Sequence, residues 1–182
     1  MDYAAMYRRS IADRDAFWQE QASRIEWHRP FKQVCDFSHP PMARWFVDGQ
    51  TNLCHNAVDR HVAARPDQPA LIHVSTETGE ERVLSYGQLH VEVQRMAAVL
   101  QSLGVNKGDR VLIYMPMIPE AVIAMLATVR LGAIHSVVFG GFASVSLASR
   151  IEDATPTLII SADAGSRGGK VVEYKPLLDE AL

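Results

Sequence analysis

From Gly108 onward, short apolar runs alternate with longer stretches of helical pattern. Arg110 to Tyr114 (RVLIY) predicts a strand, and Ile118 to Leu131 is apolar on most sides, which predicts a helix buried on most sides. His135 to Phe139 predicts a second strand, followed directly by Gly140-Gly141. Ser144 to Ala154 predicts a helix, and Thr157 to Ser161 a third strand. This βαβαβ order implies a parallel, three-layered α/β sheet with right-handed crossovers. Ligands of such sheets sit beyond the carboxyl ends of the strands. The loops to watch are therefore Met115-Pro116-Met117, Gly140-Gly141-Phe142 and Asp163 to Lys170.

Upstream the pattern is more varied. Ser85-Tyr86-Gly87-Gln88 fits a capping box. The helix it opens carries Leu89, Val93, Met96, Ala97 and Leu100 on one stripe and ends at Gly104. Ala70 to Val74 and Arg82 to Leu84 read as strands joined by a turn at Thr76-Glu77-Thr78-Gly79. Thr51 or Asn52 caps a helix running to about Arg65, where Pro66 closes it. In the first 50 residues Asp13 caps a helix with Phe17, Trp18, Ala22 and Ile25 on one face. The stretch after it holds three prolines and no sustained period, and reads as an irregular wrapping segment. Trp27, Phe31, Phe37, Trp45 and Phe46 are expected to pin that segment onto a neighbouring surface by plain packing.

Composition narrows the class. The 182 residues are 48% hydrophobic and 21% charged, an ordinary globular balance that argues against disorder. The 18 Lys and Arg against 21 Asp and Glu leave a formal charge of −3, with no long basic run to recruit nucleic acid or an anionic membrane. The two cysteines, Cys35 and Cys54, do not make a disulfide framework and read as free thiols in a reducing compartment. The amino-terminal stretch has no signal-peptide core, and the most apolar stretch, Ile118 to Ala127, is too short to span a bilayer. A cytoplasmic protein without membrane or nucleic-acid partners is expected.

The loop SADAGSRGGK (161–170) carries the most local information. It follows a strand and joins small residues to Arg167 and Lys170, cations that pair with phosphate oxygens, while its glycines allow close backbone approach. It is not a Walker A loop, because Ala164 stands at the first required glycine and Val171 follows the lysine. On spacing alone, a solvated basic turn outweighs a ligand loop. Gly140-Gly141 lacks the third glycine of a dinucleotide fingerprint, so a tight turn is as good a reading as a ligand contact. The seven histidines show no metal spacing, and Ser144 and Ser146 lack a nucleophile elbow. Asp109 reads as a turn residue rather than a base.

Longer strings add what spacing does not. GDRVLIYMPMIPEAVIAMLATVRLGAIHSVVFGGFA (108–143), FWQEQASRIEWHRPF and WFVDGQTNLCHNAVDRH (45–61) resemble the short-chain acyl-CoA synthetases of the adenylate-forming superfamily, in the right order along the whole chain. TNLCHNAVDRH and SADAGSRGGK look more like the propionate-specific than the acetate-specific branch. The resemblance implies an amino-terminal extension over 1–60, then the start of a large AMP-binding domain over 61–182. It implies an enzyme that turns propionate or acetate, ATP and CoA into acyl-CoA, AMP and pyrophosphate through an acyl-adenylate, with Mg²⁺ shielding the phosphates.

By residue-wise carry-over, the segment Phe139-Gly140-Gly141 lies against CoA, and Arg167, Gly168, Gly169 and Lys170 meet its nucleotide phosphates. The family's Ser/Thr/Gly-rich loop ending in Pro-Lys-Gly, its ribose aspartate and its catalytic lysine, with any acetylation of that lysine, have no counterpart here. The expectations are a truncated chain with no catalytic residue, at most CoA as ligand, no acyl-adenylate formation, and self-association through an uncovered apolar face. The rival reading is a non-catalytic binding or subunit-contact module; a dehydrogenase is disfavoured by the missing glycine fingerprint.

Overall fold

A computed structural model describes residues 2–182, which form one compact unit ending at Asn52 and a second unit, Leu53–Leu182.

In the first unit Asp2 caps α1 (Tyr3–Ala12), its carboxylate accepting from the Ala5 amide at 2.7 Å. Asp13 stands at the cap position of α2 (Arg14–Ala22), as its sequence position suggests, but makes no side-chain cap bond. Phe17 and Ala22 are buried, while Trp18 and Ile25 stay partly exposed and Ile25 lies past the helix end. The segment expected to wrap irregularly instead closes into an antiparallel hairpin, β1 (Gln33–His39) and β2 (Met42–Val47). Its register shifts between Asp36 and His39, and Phe46 and Asp48 take positive φ of 49° and 63°. A two-residue alternation does not survive such interruptions, which is why no strand period shows in the sequence. Trp27, Phe31 and Phe46 pack on one another with ring centroids 5.1 to 5.5 Å apart, whereas Phe37 is half exposed.

The second unit begins with a helical turn whose middle, His55–Asp59, widens to π geometry before α3 (Arg60–Val62). Asp59 is half-buried there, and the Arg130 guanidinium donates to both of its oxygens at 2.8 and 2.7 Å. The His90 ring pairs with the same carboxylate at 2.9 Å. Strands β3 (Pro69–Val74) and β4 (Glu81–Ser85) form the expected hairpin, and Gly79 supplies the positive φ of its turn. Ser85 and Gln88 make both bonds of the capping box that starts α4 (Tyr86–Ser102).

Then follow β5 (Arg110–Met115), α5 (Pro119–Arg130), β6 (Ile134–Phe139), α6 (Ser144–Ala154) and β7 (Leu158–Ser161). The three strands lie parallel in the order β6-β5-β7. β5 is the middle strand, and its side chains alternate between two cores. Val111 and Ile113 face Leu89, Val93, Leu100, Ala124 and Ala127 of α4 and α5. Leu112 and Tyr114 face Val138, Leu147, Tyr174 and Leu178 on the other side. All four β5 side chains are fully buried. At the amino end of β5, the Arg110 guanidinium donates to the carbonyls of Ala154 and Thr155, the last residues around α6.

The stretch 161–170 is not one open loop. It contains β8 (Ala164–Arg167), which turns at Gly168-Gly169 and pairs antiparallel with β9 (Lys170–Glu173). α7 (Tyr174–Ala181) follows at once.

Because Leu112 has no exposed surface, Leu112→Ala removes packing on one side of the sheet and leaves a cavity. A loss of about 2–5 kcal/mol is expected, measured as a lower urea midpoint with an unchanged slope.

Candidate functional site

The carboxyl ends of β5 and β6 open into a cleft of about 430 Å³. Met115, Pro116 and Met117 form one wall, Val137 to Gly141 another, and Ser166, Arg167 and Tyr174 close it from the β8–β9 side. This is the end of a parallel sheet where helices and strands leave room for a ligand.

Two features shape the cleft. The first is the pair Gly140-Gly141. A Cβ on Gly140 would run into the Tyr174 ring, 2.6 Å from its Cε1, and a Cβ on Gly141 would run into Arg167 and Phe139. The absence of side chains here makes room for the protein's own Tyr174, Phe139 and Arg167, where the sequence suggested room for a ligand. Tyr174 is buried, packs edge-on against Tyr114 with centroids 5.0 Å apart, and so cannot swing away cheaply. Tyr114 in turn donates its hydroxyl to the Phe142 carbonyl at 3.1 Å, fixing the loop after β6.

The second feature is the β8–β9 hairpin. The Asp163 carbonyl accepts from the amides of Tyr174 and Lys175 at 2.9 and 3.1 Å, so the hairpin leaves and rejoins the chain at one point. At its far end Gly168 and Gly169 have φ of 59° and 70°, the signs a two-residue type I′ turn requires. Arg167, the last residue before the turn, lays its guanidinium 5.0 Å from the Phe139 ring centroid. That pairs a fixed positive charge with an aromatic face at the cleft mouth.

Of the residues singled out in the sequence, Phe139, Gly140, Gly141 and Arg167 come together at this cleft. Gly168, Gly169 and Lys170 do not line it. Lys170 opens β9 directly across the ladder from Arg167, and it is exposed. The Gly168 and Gly169 amides are engaged by the Glu77 carboxylate at 2.9 and 2.8 Å. Met115, Pro116 and Met117, one of the strand-end loops marked in the sequence, line the cleft as well, whereas Tyr174 and Glu77 were not picked out as site residues. A Gly-Gly pair between two short strands is a hairpin signal that pointed to the turn, whereas nothing local points to Glu77. Among the described residues no group of three or more His, Cys, Asp or Glu side chains gathers to hold a metal ion.

The two tyrosines are the perturbed groups of the site. Burial pushes the Tyr174 phenol above its ordinary value, partly offset by nearby Arg167. Burial, and then Tyr174 beside it, do the same to Tyr114. The glycines and tyrosines leave Arg167 as the charged group on the cleft wall, suited to an anionic ligand with an aromatic or apolar part.

Comparison with known proteins places these features in a family. The pattern of the family described as AMP-binding enzyme matches residues 58–180, and that described as acetyl-coenzyme A synthetase N-terminus matches residues 3–57. The propionate–CoA ligase of Escherichia coli strain K12 is 60% identical over 182 residues, covering all of this chain and 29% of its own length. That of Salmonella typhimurium LT2 is 62% identical with the same coverage. The acetyl-coenzyme A synthetase of Streptomyces coelicolor is 52% identical over 179 residues, covering 98% of this chain and 28% of its own. Among solved structures, the acetoacetyl-CoA synthetase from Streptomyces lividans superposes with a TM-score of 0.90 at 32% identity, covering all of this chain and 28% of its own. The chain thus spans under a third of the length of these relatives.

Gly140→Ala forces the new methyl against Tyr174, so it is expected to destabilise the chain by about 1–3 kcal/mol, read as a lower midpoint in urea. A spectrophotometric titration of the phenols is expected to show Tyr114 and Tyr174 ionising above 10.0. Their folded values are raised, so their contribution to stability is complete below pH 10.0 and is lost as pH rises through the raised values. Tyr114→Phe should remove one of the late-ionising groups.

Proposed function

The chain belongs to the AMP-binding enzyme family, and on that premise we propose that it is the amino-terminal part of an AMP-forming acid–CoA ligase that uses propionate or acetate. The names of its relatives support that substrate range, with the propionate enzymes the more alike. In the proposed reaction ATP and the acid give an acyl-adenylate and pyrophosphate, and the CoA thiol then displaces AMP. The share of that work assigned to these residues is holding CoA. On this reading the adenylation chemistry falls to parts of the family pattern that these 182 residues do not carry, and Mg²⁺ is held there too. The two buried cysteines are free thiols, in keeping with a reducing, cytoplasmic setting.

The observation that carries the reading is Arg167 held beside Phe139 over the cleft at the strand ends. CoA brings phosphates and a flat base together, and the site offers a guanidinium next to a half-exposed aromatic ring. Lys170, one step across the turn, adds a second cation on the same hairpin. The reaction itself is not routed through any of these groups. They orient the carrier so that its thiol reaches the acyl group elsewhere.

Calorimetric titration with CoA tests this. Saturable binding by the 182-residue chain is expected, weakened at least about tenfold in an Arg167→Ala, Lys170→Ala double variant, since each charge-assisted bond contributes roughly 1.5–3 kcal/mol. Added salt should weaken it as well. A folded chain that binds no CoA, or a double variant that binds as well as the parent, overturns the assignment.

A further inference from the structure

The β8–β9 hairpin is fixed at two places, and only one of them lies on its own stretch of chain. At the base, the Asp163 carbonyl takes the amides of Tyr174 and Lys175. At the tip, one carboxylate oxygen of Glu77 accepts from Gly168 N and the other from Gly169 N. Glu77 is 91 residues earlier than Gly168 in the chain. It belongs to the turn between β3 and β4, which is itself well tied: Ser75 N donates to the Glu80 carbonyl and Gly79 N to the Ser75 carbonyl, at 2.8 and 2.9 Å. The Thr78 amide also donates to the Ser75 hydroxyl.

Two successive N–H groups in a turn of positive φ converge on one point and favour a negative charge there. Glu77 supplies that charge from within the protein. The tip is exposed, and without a partner it would hang from a ladder of four paired positions. Arg167 is the residue next to the tip, so any rocking of the turn is carried straight to its guanidinium.

We propose that Glu77 is a positioning residue: by binding the Gly168 and Gly169 amides it holds the hairpin so that Arg167 stays over Phe139 at the cleft. It acts through Arg167 and touches no ligand. The consequence for CoA rests on the reading of the cleft given above, whereas the hold on the hairpin does not. The downward shift of the Glu77 carboxyl, caused first by the Gly169 amide and then by Gly168, agrees with this arrangement.

The test uses the 182-residue chain with isotopic labelling. In the parent, the Gly168 and Gly169 amide resonances should move together with a carboxylate titration centred below 4.5, and in Glu77→Gln that titration should vanish. Resonances outside 75–80, 139–142 and 164–174 should be unchanged, which controls for folding. CoA affinity should fall roughly three- to tenfold in Glu77→Ala and recover in part in Glu77→Gln, which keeps one acceptor. In an Arg167→Ala, Lys170→Ala background, which removes both cations of the hairpin, Glu77→Ala should cost nothing further.

Three results would sink the proposal. The tip amides could ignore both pH and the Glu77 substitutions. The loss from Glu77→Ala could simply add to that of the Arg167→Ala, Lys170→Ala double variant. Or Glu77→Ala could bind CoA more tightly, making Glu77 a competitor for the tip amides rather than their support. If the parent binds no CoA, the ligand reading of the cleft fails, and the amide titration alone then decides whether Glu77 holds the hairpin.

Discussion

Everything in the second unit depends on one strand being buried on both faces. Val111 and Ile113 belong to the core under α4 and α5, and Leu112 and Tyr114 to the core under α6 and α7. Each of the four removes apolar surface from water, a contribution of about 1.5–3 kcal/mol for each fully buried aliphatic side chain. The two layers of helices are thereby joined through four consecutive residues. Tyr114 adds a second duty, because its hydroxyl reaches the Phe142 carbonyl and its ring supports Tyr174. The core on that side therefore runs directly into the wall of the cleft, and its packing sets the cleft's shape.

Most of this framework was legible before any coordinates. The apolar runs marked β5, β6 and β7, and Ser144 to Ala154 was read with the bounds it has. Ser85 and Gln88 announced α4 because a capping box is a short-range chemical pattern, complete within four residues. What escaped is nonlocal or interrupted. The β1–β2 hairpin hides behind a register shift and two residues of positive φ. The helix after Asn52 was read as regular and long, yet it widens at His55–Asp59, where Asp59 meets Arg130 and His90 from far along the chain.

The site was half legible, for a similar reason. Gly140, Gly141 and Arg167 drew notice as small or charged residues after strands, and Phe139 through the family resemblance, and they do meet. The physical reason given to the glycines was incomplete. At 140 and 141 their missing side chains admit Tyr174, Phe139 and Arg167, and at 168 and 169 they permit the turn. Tyr174 drew no notice in the sequence, and Glu77 was read as one member of a turn. Only the folded chain brings each to the residues it serves.

The ends of β5 do different jobs. Arg110 fastens the amino end to the close of α6, while the carboxyl end carries the cleft. Six residues of extended chain hold the two ends about 17 Å apart. Whatever shifts the loops around the cleft therefore reaches the fastened end only through the strand itself.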